Sequence, residues 1–234
     1  MIVKRSAIPL VLLIFGSATQ AADQRYSITD FDKIRVVGAS RVVIENARAT
    51  SVRANGEREA LDLLLIESLD RTLTIQPRGG YVASPSQASF KPPTIYITLP
   101  LISSAKLNGS GTISIATLRG IQADVSLTGS GQISVAKVMV DNLNARLSGS
   151  GTLTLAGKAL KFDANVKGSG NVAASSLDVA DLKLTAASSG TVGMSATRTA
   201  MITSTGSGTI TITGGPSCTV QNIGVGTVIC GKAP

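Results

Sequence analysis

Seven glycine-centred triplets are the first residues in this 234-residue chain whose type and spacing could do chemistry. They are Gly109-Ser110-Gly111, Gly129-Ser130-Gly131, Gly149-Ser150-Gly151, Gly168-Ser169-Gly170, the degenerate Ser188-Ser189-Gly190, Gly206-Ser207-Gly208 and the variant Gly224-Val225-Gly226. A glycine-rich loop cradles phosphate when its backbone N–H groups converge at a helix N-terminus, which takes GxxxxGK[ST] ahead of a helix. Every triplet here runs instead into strand-like residues, and none is followed by Lys-Ser or Lys-Thr. The phosphate reading therefore fails on context.

Other chemistries are thinly supported. The chain has no histidine, which removes imidazole catalysis and every histidine-containing metal site. No GxSxG nucleophile elbow occurs; Ser103 and Lys106 match a Ser-x-x-Lys spacing, but a polar surface position explains Lys106 as well. Paired carboxylates remain. The acids after residue 104 are Asp124, Asp141, Asp163, Asp178 and Asp181. Glycosidase carboxylates must share a groove at roughly 5–9 Å, and calcium needs several oxygen ligands; solvated positions on strand returns account for these scattered acids more simply. Tyr26, Tyr81 and Tyr96 are the only tyrosines and there is no tryptophan, which disfavours a deep glycan-stacking groove. No catalytic, cofactor or metal set emerges. The ten Lys and Arg residues from Ala105 onward stand singly, without the cluster that a nucleic-acid groove requires.

The elements that carry the triplets are more informative than the triplets themselves. Successive steps are 20, 20, 19, 20, 18 and 18 residues, and such regularity marks a solenoid rather than a linker. Between triplets the residues alternate: Val125, Leu127, Ile133 and Val135 share one orientation, Ser126, Gln132 and Ser134 the other. That is the period of half-buried strands. Coils stacked at the ~4.8 Å strand spacing would bury the apolar side continuously, and seven units would extend about 30 Å. The expected fold is all-β, a β-helix or β-roll with about 18–20 residues per coil, each triplet making a turn. A β-sandwich of hairpins joined at the glycines is the alternative. Three hexapeptide sides fit the late spacing of 18 in number, but the earlier units lack an apolar residue at every sixth position. Beside the turns, Asn108, Thr112, Thr128, Gln132, Ser148 and Thr152 point outward and would stack into a polar ladder, able to bind another surface or simply to keep the solenoid solvated.

The ends differ from the middle. Lys4 and Arg5, the apolar run from Ala7 to Phe15 and the small residues up to Ala22 have the order of a secretory signal peptide over residues 1–22, cleaved after Ala21 or Ala22. No later segment reads as a membrane helix. Loss of Lys4 and Arg5 lowers the net charge from +8 to +6, a mild balance. Residues 23–104 form an N-terminal β region and cap continuous with the solenoid, in which EREALDLLL has the composition for one or two helical turns but strand context is favoured; residues 81–93 read as a Ser- and Pro-rich loop. Residues 105–234 form the repeat and a C-terminal cap. Cys218 and Cys230, the only cysteines, would pair in an exported protein and pin the last coil.

The motifs FDKIRVVGASRVVI, RTLTIQP and TIYITLPLISSAKLNGSG, followed by the triplet series, resemble the bacterial family called putative auto-transporter adhesin, head GIN domain. The resemblance spans roughly Tyr26 to Ile229 and implies an exported, all-β, solenoid-like domain without established catalytic residues. The function expected is a periplasmic or secreted envelope interaction or structural protein, adhesin-like, whose partner is a cell-envelope protein or glycan; a polysaccharide-active β-helix enzyme is the alternative.

Overall fold

The computed structural model describes residues 22–28, 30–79 and 91–231. The expected leader, apart from Ala22, and most of the Ser/Pro loop lie outside the described residues. The chain is an all-β solenoid of about six turns, not a sandwich. Among the described residues no helix is long and apolar enough to cross a membrane.

Four long strands form the regular centre: β9 (Thr112–Gly129), β10 (Gln132–Gly149), β11 (Thr152–Gly168) and β12 (Asn171–Ser188). Each occupies a whole coil and pairs in parallel with the next, one coil out of phase. Ile113 lies opposite Ile133, which lies opposite Leu153, and Leu107, Leu127 and Leu147 align in the same way. These columns are buried, so the alternation read from the sequence becomes a continuous apolar core. Between β9 and β10 the ladder skips Ala116/Ala136 and Ile121/Asp141. Each coil therefore has three straight runs, separated by these two breaks and by the glycine corner.

Changes in coil length are absorbed at one place. In the 19-residue coil the register shifts after Val135, where Gly157 comes opposite Val138. Gly157 has φ +123°, and a Cβ there would run into the Val138 backbone, its nitrogen 2.5 Å away. The omitted residue thus creates a position that only glycine fits. The two residues missing from the first 18-residue coil fall between Ala174 and Asp181, so β13 (Thr191–Ser195) and β14 (Thr199–Ser204) carry on the ladders of β12 with a shorter connection.

The N-terminal region is woven into the same sheet. β2 (Lys33–Val37) pairs in parallel with β8 (Ser104–Gly109), and β3 (Arg41–Asn46) with β9. Gly38-Ala39-Ser40 between β2 and β3 is a further rung of the glycine corner, beneath Gly109: the N–H groups of Ser110 and Gly111 both donate to Gly38 O, at 3.1 and 2.9 Å. On the far side of these strands the pairing becomes partly antiparallel, through β4 (Ser51–Gly56), β7 (Thr94–Leu99) and β1 (Ala22–Tyr26) on one face. β5 (Leu64–Leu69) and β6 (Thr72–Pro77) form a hairpin on another. The strand expectation for EREALDLLL is corrected in its first half: Arg58–Asp62 is a short helix, α1, which buries Ala60 and Leu61, and β5 begins at Leu64.

The C-terminal end consists of β15 (Thr209–Thr213) and β16 (Ser217–Asn222), stacked on β13 and β14, and of β17 (Thr227–Cys230), which starts one further coil on β15. Cys218 lies over Ala200 and Cys230 over Ile212, each a buried position one coil beneath. The disulfide Cys218–Cys230, with Cα atoms 6.3 Å apart, joins β16 to β17 across this end of the core.

Candidate functional site

The glycine corner is built from backbone and leaves no cradle for a ligand. At the second triplet Ser130 N and Gly131 N donate to Gly109 O at 3.1 and 2.9 Å, and Gln132 N donates to Gly111 O at 2.9 Å. The donors that a phosphate would need are already used by the preceding coil. Gly129 has φ +113°, and a Cβ on it would lie 2.5 Å from Gly109 O; one on Gly131 would lie 2.5 Å from Gly111 O. Positive φ occurs at Gly109, Gly129, Gly149 and Gly168 but not at Ser188, Gly206 or Gly224. The corner thus changes conformation at the degenerate triplet, where Ser188 is buried and its Oγ accepts from Gly190 N at 3.0 Å.

The six polar positions flank this corner as two columns. Asn108, Thr128 and Ser148 align on the strands entering it, and Thr112, Gln132 and Thr152 on those leaving it. Register continues the second column through Asn171, and Thr191 and Thr209 align above it in the same way. Asn108, Thr128, Gln132 and Ser148 are exposed, while Thr112 and Thr152 are half-buried.

Asp124 and Asp163 share one column, Asp178 and Asp181 stand in two others, and several of these acids are held by the adjacent coil. Asp124 and Asp163 stand on either side of Asn144, whose Nδ2 donates to Asp124 Oδ1 at 3.1 Å; Lys183 approaches Asp163 at 3.9 Å. Asp178 and Asp181 lie on different runs of β12, opposite Lys158 and Lys161. Asp181 accepts from Arg198 Nε at 2.8 Å and Thr199 Oγ1 at 2.7 Å, and these hydrogen bonds, Arg198's first, hold its carboxyl at about 2. Asp32 joins the N-terminal strands to the first coil, accepting from Ser103 Oγ at 2.8 Å and Arg71 Nε at 3.1 Å. Burial pushes its carboxyl up, but those two bonds outweigh it and leave it below its ordinary value. Ser103 is therefore engaged with Asp32. Among the described residues no group of three His, Cys, Asp or Glu could hold a metal ion.

Both carboxylates bind fewer protons folded than unfolded. Their stabilisation is complete above the unfolded value near ~4 and is lost as pH falls below it, for Asp181 toward about 2. The urea midpoint should fall between pH 5 and pH 2.5, and Asp181→Asn should flatten part of that fall. An Asp181→Asn profile parallel to the wild type would rule out Asp181 as a contributor.

Residues 30–216 match the family described as putative auto-transporter adhesin, head GIN domain. The chain belongs to this family. A putative adhesin from Bacteroides fragilis has the same fold as this GIN-domain chain, with a TM-score of 0.81 at 22% identity over 90% of this chain and 97% of that one. A putative lipid binding protein from Parabacteroides distasonis follows at 0.70 and 22%, over 91% and 97%. A putative adhesin from the same organism gives 0.65 and 22%, over 89% and 96%. Comparison with curated proteins finds no match.

One feature of this GIN-domain chain was not assembled from the sequence. Arg25, Arg53 and Tyr96 sit side by side on β1, β4 and β7, and the Arg53 guanidinium lies over the Tyr96 ring, 5.0 Å from its centroid. Alternation in TIYITL, with Ile95 and Ile97 buried, was the available signal that Tyr96 points outward. Nothing in the sequence marked which strands would stand beside it.

Proposed function

We propose that this is an exported cell-envelope interaction or structural protein, adhesin-like, which contacts an envelope protein or glycan through the polar columns beside the glycine corner. The observation that carries this reading is their register. Asn108, Thr128 and Ser148 on one side and Thr112, Gln132 and Thr152 on the other stand one coil apart on a scaffold locked backbone to backbone. A rigid array of hydroxyls and amides loses little conformational freedom on docking, so many weak hydrogen bonds can add up. The family and the shared fold support an adhesin-like role at this coarser level. In this reading residues 1–22 direct export, residues 23–104 cap one end, and the disulfide closes the other. The polysaccharide-active alternative draws less support from the aspartates, whose columns pair them with amide or basic neighbours.

The test is retention of the mature protein on native envelope fractions and glycan arrays, against a charge-matched control. Replacing Thr112, Gln132 and Thr152 together by Val should reduce retention at least about tenfold while leaving the melting transition in place. Retention equal to the control, or unchanged in the triple variant, would remove the polar columns from the binding function.

A further inference from the structure

The outward face of the N-terminal strands carries two aligned rows of side chains. In the first, Arg25 lies opposite Arg53, Arg53 opposite Tyr96, and Tyr96 opposite Val43, from β1 through β4 and β7 to β3. In the second, Ser51 lies opposite Thr98 and Thr98 opposite Glu45. Both rows line a groove of about 800 Å³, within the roughly 300–1,000 Å³ range of small-ligand sites.

The first row is electrostatically unfavourable as it stands. Like charges directly opposite each other across a strand pair destabilise it, yet Arg25 and Arg53 occupy such a pair. Arg53 is steadied by the Tyr96 ring and by Asp23, whose Oδ1 is 3.8 Å from its Nε. Among the described residues Arg25 has no carboxylate partner. An anion lying between the two guanidiniums would remove the repulsion and accept charge-assisted hydrogen bonds from both.

The second row has the opposite character. Thr98 Oγ1 donates its one proton to Ala49 O at 3.0 Å, so Ser51 must be the donor in the 2.8 Å bond between the two hydroxyls. Ser51 Oγ is left to act as an acceptor, and Glu45 adds a carboxylate. Acceptors suit the hydroxyl donors of a sugar, and Glu45 repels a second negative charge. From β4 to β3 the groove crosses two strand spacings, about 9.6 Å, which accommodates about two sugar rings. Tyr96, 40% exposed, offers ring surface to sugar C–H groups between the two ends.

We propose that this groove binds an acidic saccharide, its carboxylate held by Arg25 and Arg53 and the hydroxyls of the adjoining ring by Ser51 and Glu45. The site is separate from the polar columns and does not depend on their function.

The test is calorimetric titration of the mature protein with an aldobiouronic acid, one uronic acid linked to one neutral hexose, with its methyl ester and with inorganic phosphate. The free acid should bind at least about tenfold more tightly than the ester, and Arg25→Gln and Arg53→Gln should each abolish most of that preference. Arg25→Gln should also leave the ligand-free melting temperature unchanged or raised, because it removes a repulsive pair. The Val substitutions at Thr112, Gln132 and Thr152 should leave aldobiouronate binding intact, so failure of one site is distinguishable from failure of the other. Equal binding of acid and ester, binding of phosphate as tight as that of the acid, no measurable uptake of the acid, or full acid preference in the Arg25→Gln/Arg53→Gln double variant would each overturn the proposal.

Discussion

Gly129→Ala is expected to lower the free energy of unfolding by about 4 kcal/mol, although it adds a single methyl group. Two costs combine. The φ of +113° at Gly129 is strained for a residue with a side chain, a penalty of about 1–3 kcal/mol. The new Cβ would also lie 2.5 Å from Gly109 O and 3.2 Å from Gly109 C and N. The obstacle is backbone, which cannot rotate away, and overpacking of this kind costs about 1–3 kcal/mol more. Relief would require separating two coils that Ser130 N and Gly131 N bind to Gly109 O. Ser130→Ala, at the exposed middle of the same triplet, is the internal control and should change stability by less than about 0.5 kcal/mol. Denaturant unfolding of the two variants measures the difference. Equal midpoints would contradict the close backbone stack.

Removing the disulfide should act locally. The Cys218–Cys230 link spans 12 residues of sequence, for which chain-entropy arguments give about 3 kcal/mol. In a solenoid each coil is stabilised mainly by its neighbours, so a loss at one end need not travel far. The double variant Cys218→Ala/Cys230→Ala should therefore lose amide-exchange protection in β15, β16 and β17 first. Protection in β9, β10 and β11 should stay near its original level. Val220 and Ile229, already 44% and 47% exposed, mark this end of the stack as held by little burial. Uniform loss of protection along the whole stack would show instead that the protein unfolds as one cooperative unit.

The repeat was legible because every rung meets the same physical demand. A coil that passes backbone against backbone at one corner cannot tolerate a side chain there, so glycine recurs at coil spacing and the inward residues remain apolar. Where the demand is met across a long gap, the pattern disappears from view. Gly38-Ala39-Ser40 belongs to the same corner as Gly109-Ser110-Gly111, yet the intervening chain folds into β4 to β7 before β8 returns to pair with β2. A step of 19 residues showed that one coil is short by a residue, but only the register at Val138 shows why Gly157 stands there. The arginine and tyrosine row was hidden for a related reason. Alternation tells which residues of a strand face outward, whereas the antiparallel neighbours of β4 are set by tertiary packing. The short helix at Arg58–Asp62 likewise follows from the burial of Ala60 and Leu61 in a segment whose strand and helix signals were both present.

The one-coil register of the central strands makes length a separable property. Excising residues 132–151 would bring Thr152 to follow Gly131 and lay Leu153 over Ile113, one apolar column and one glycine corner continuing without a break. The protein would be shorter by a single strand spacing, about 4.8 Å, and otherwise unaltered at its two ends. A gene encoding such a chain can change the reach of the molecule in whole-coil steps, by duplication or loss of one repeat, without redesigning either terminus.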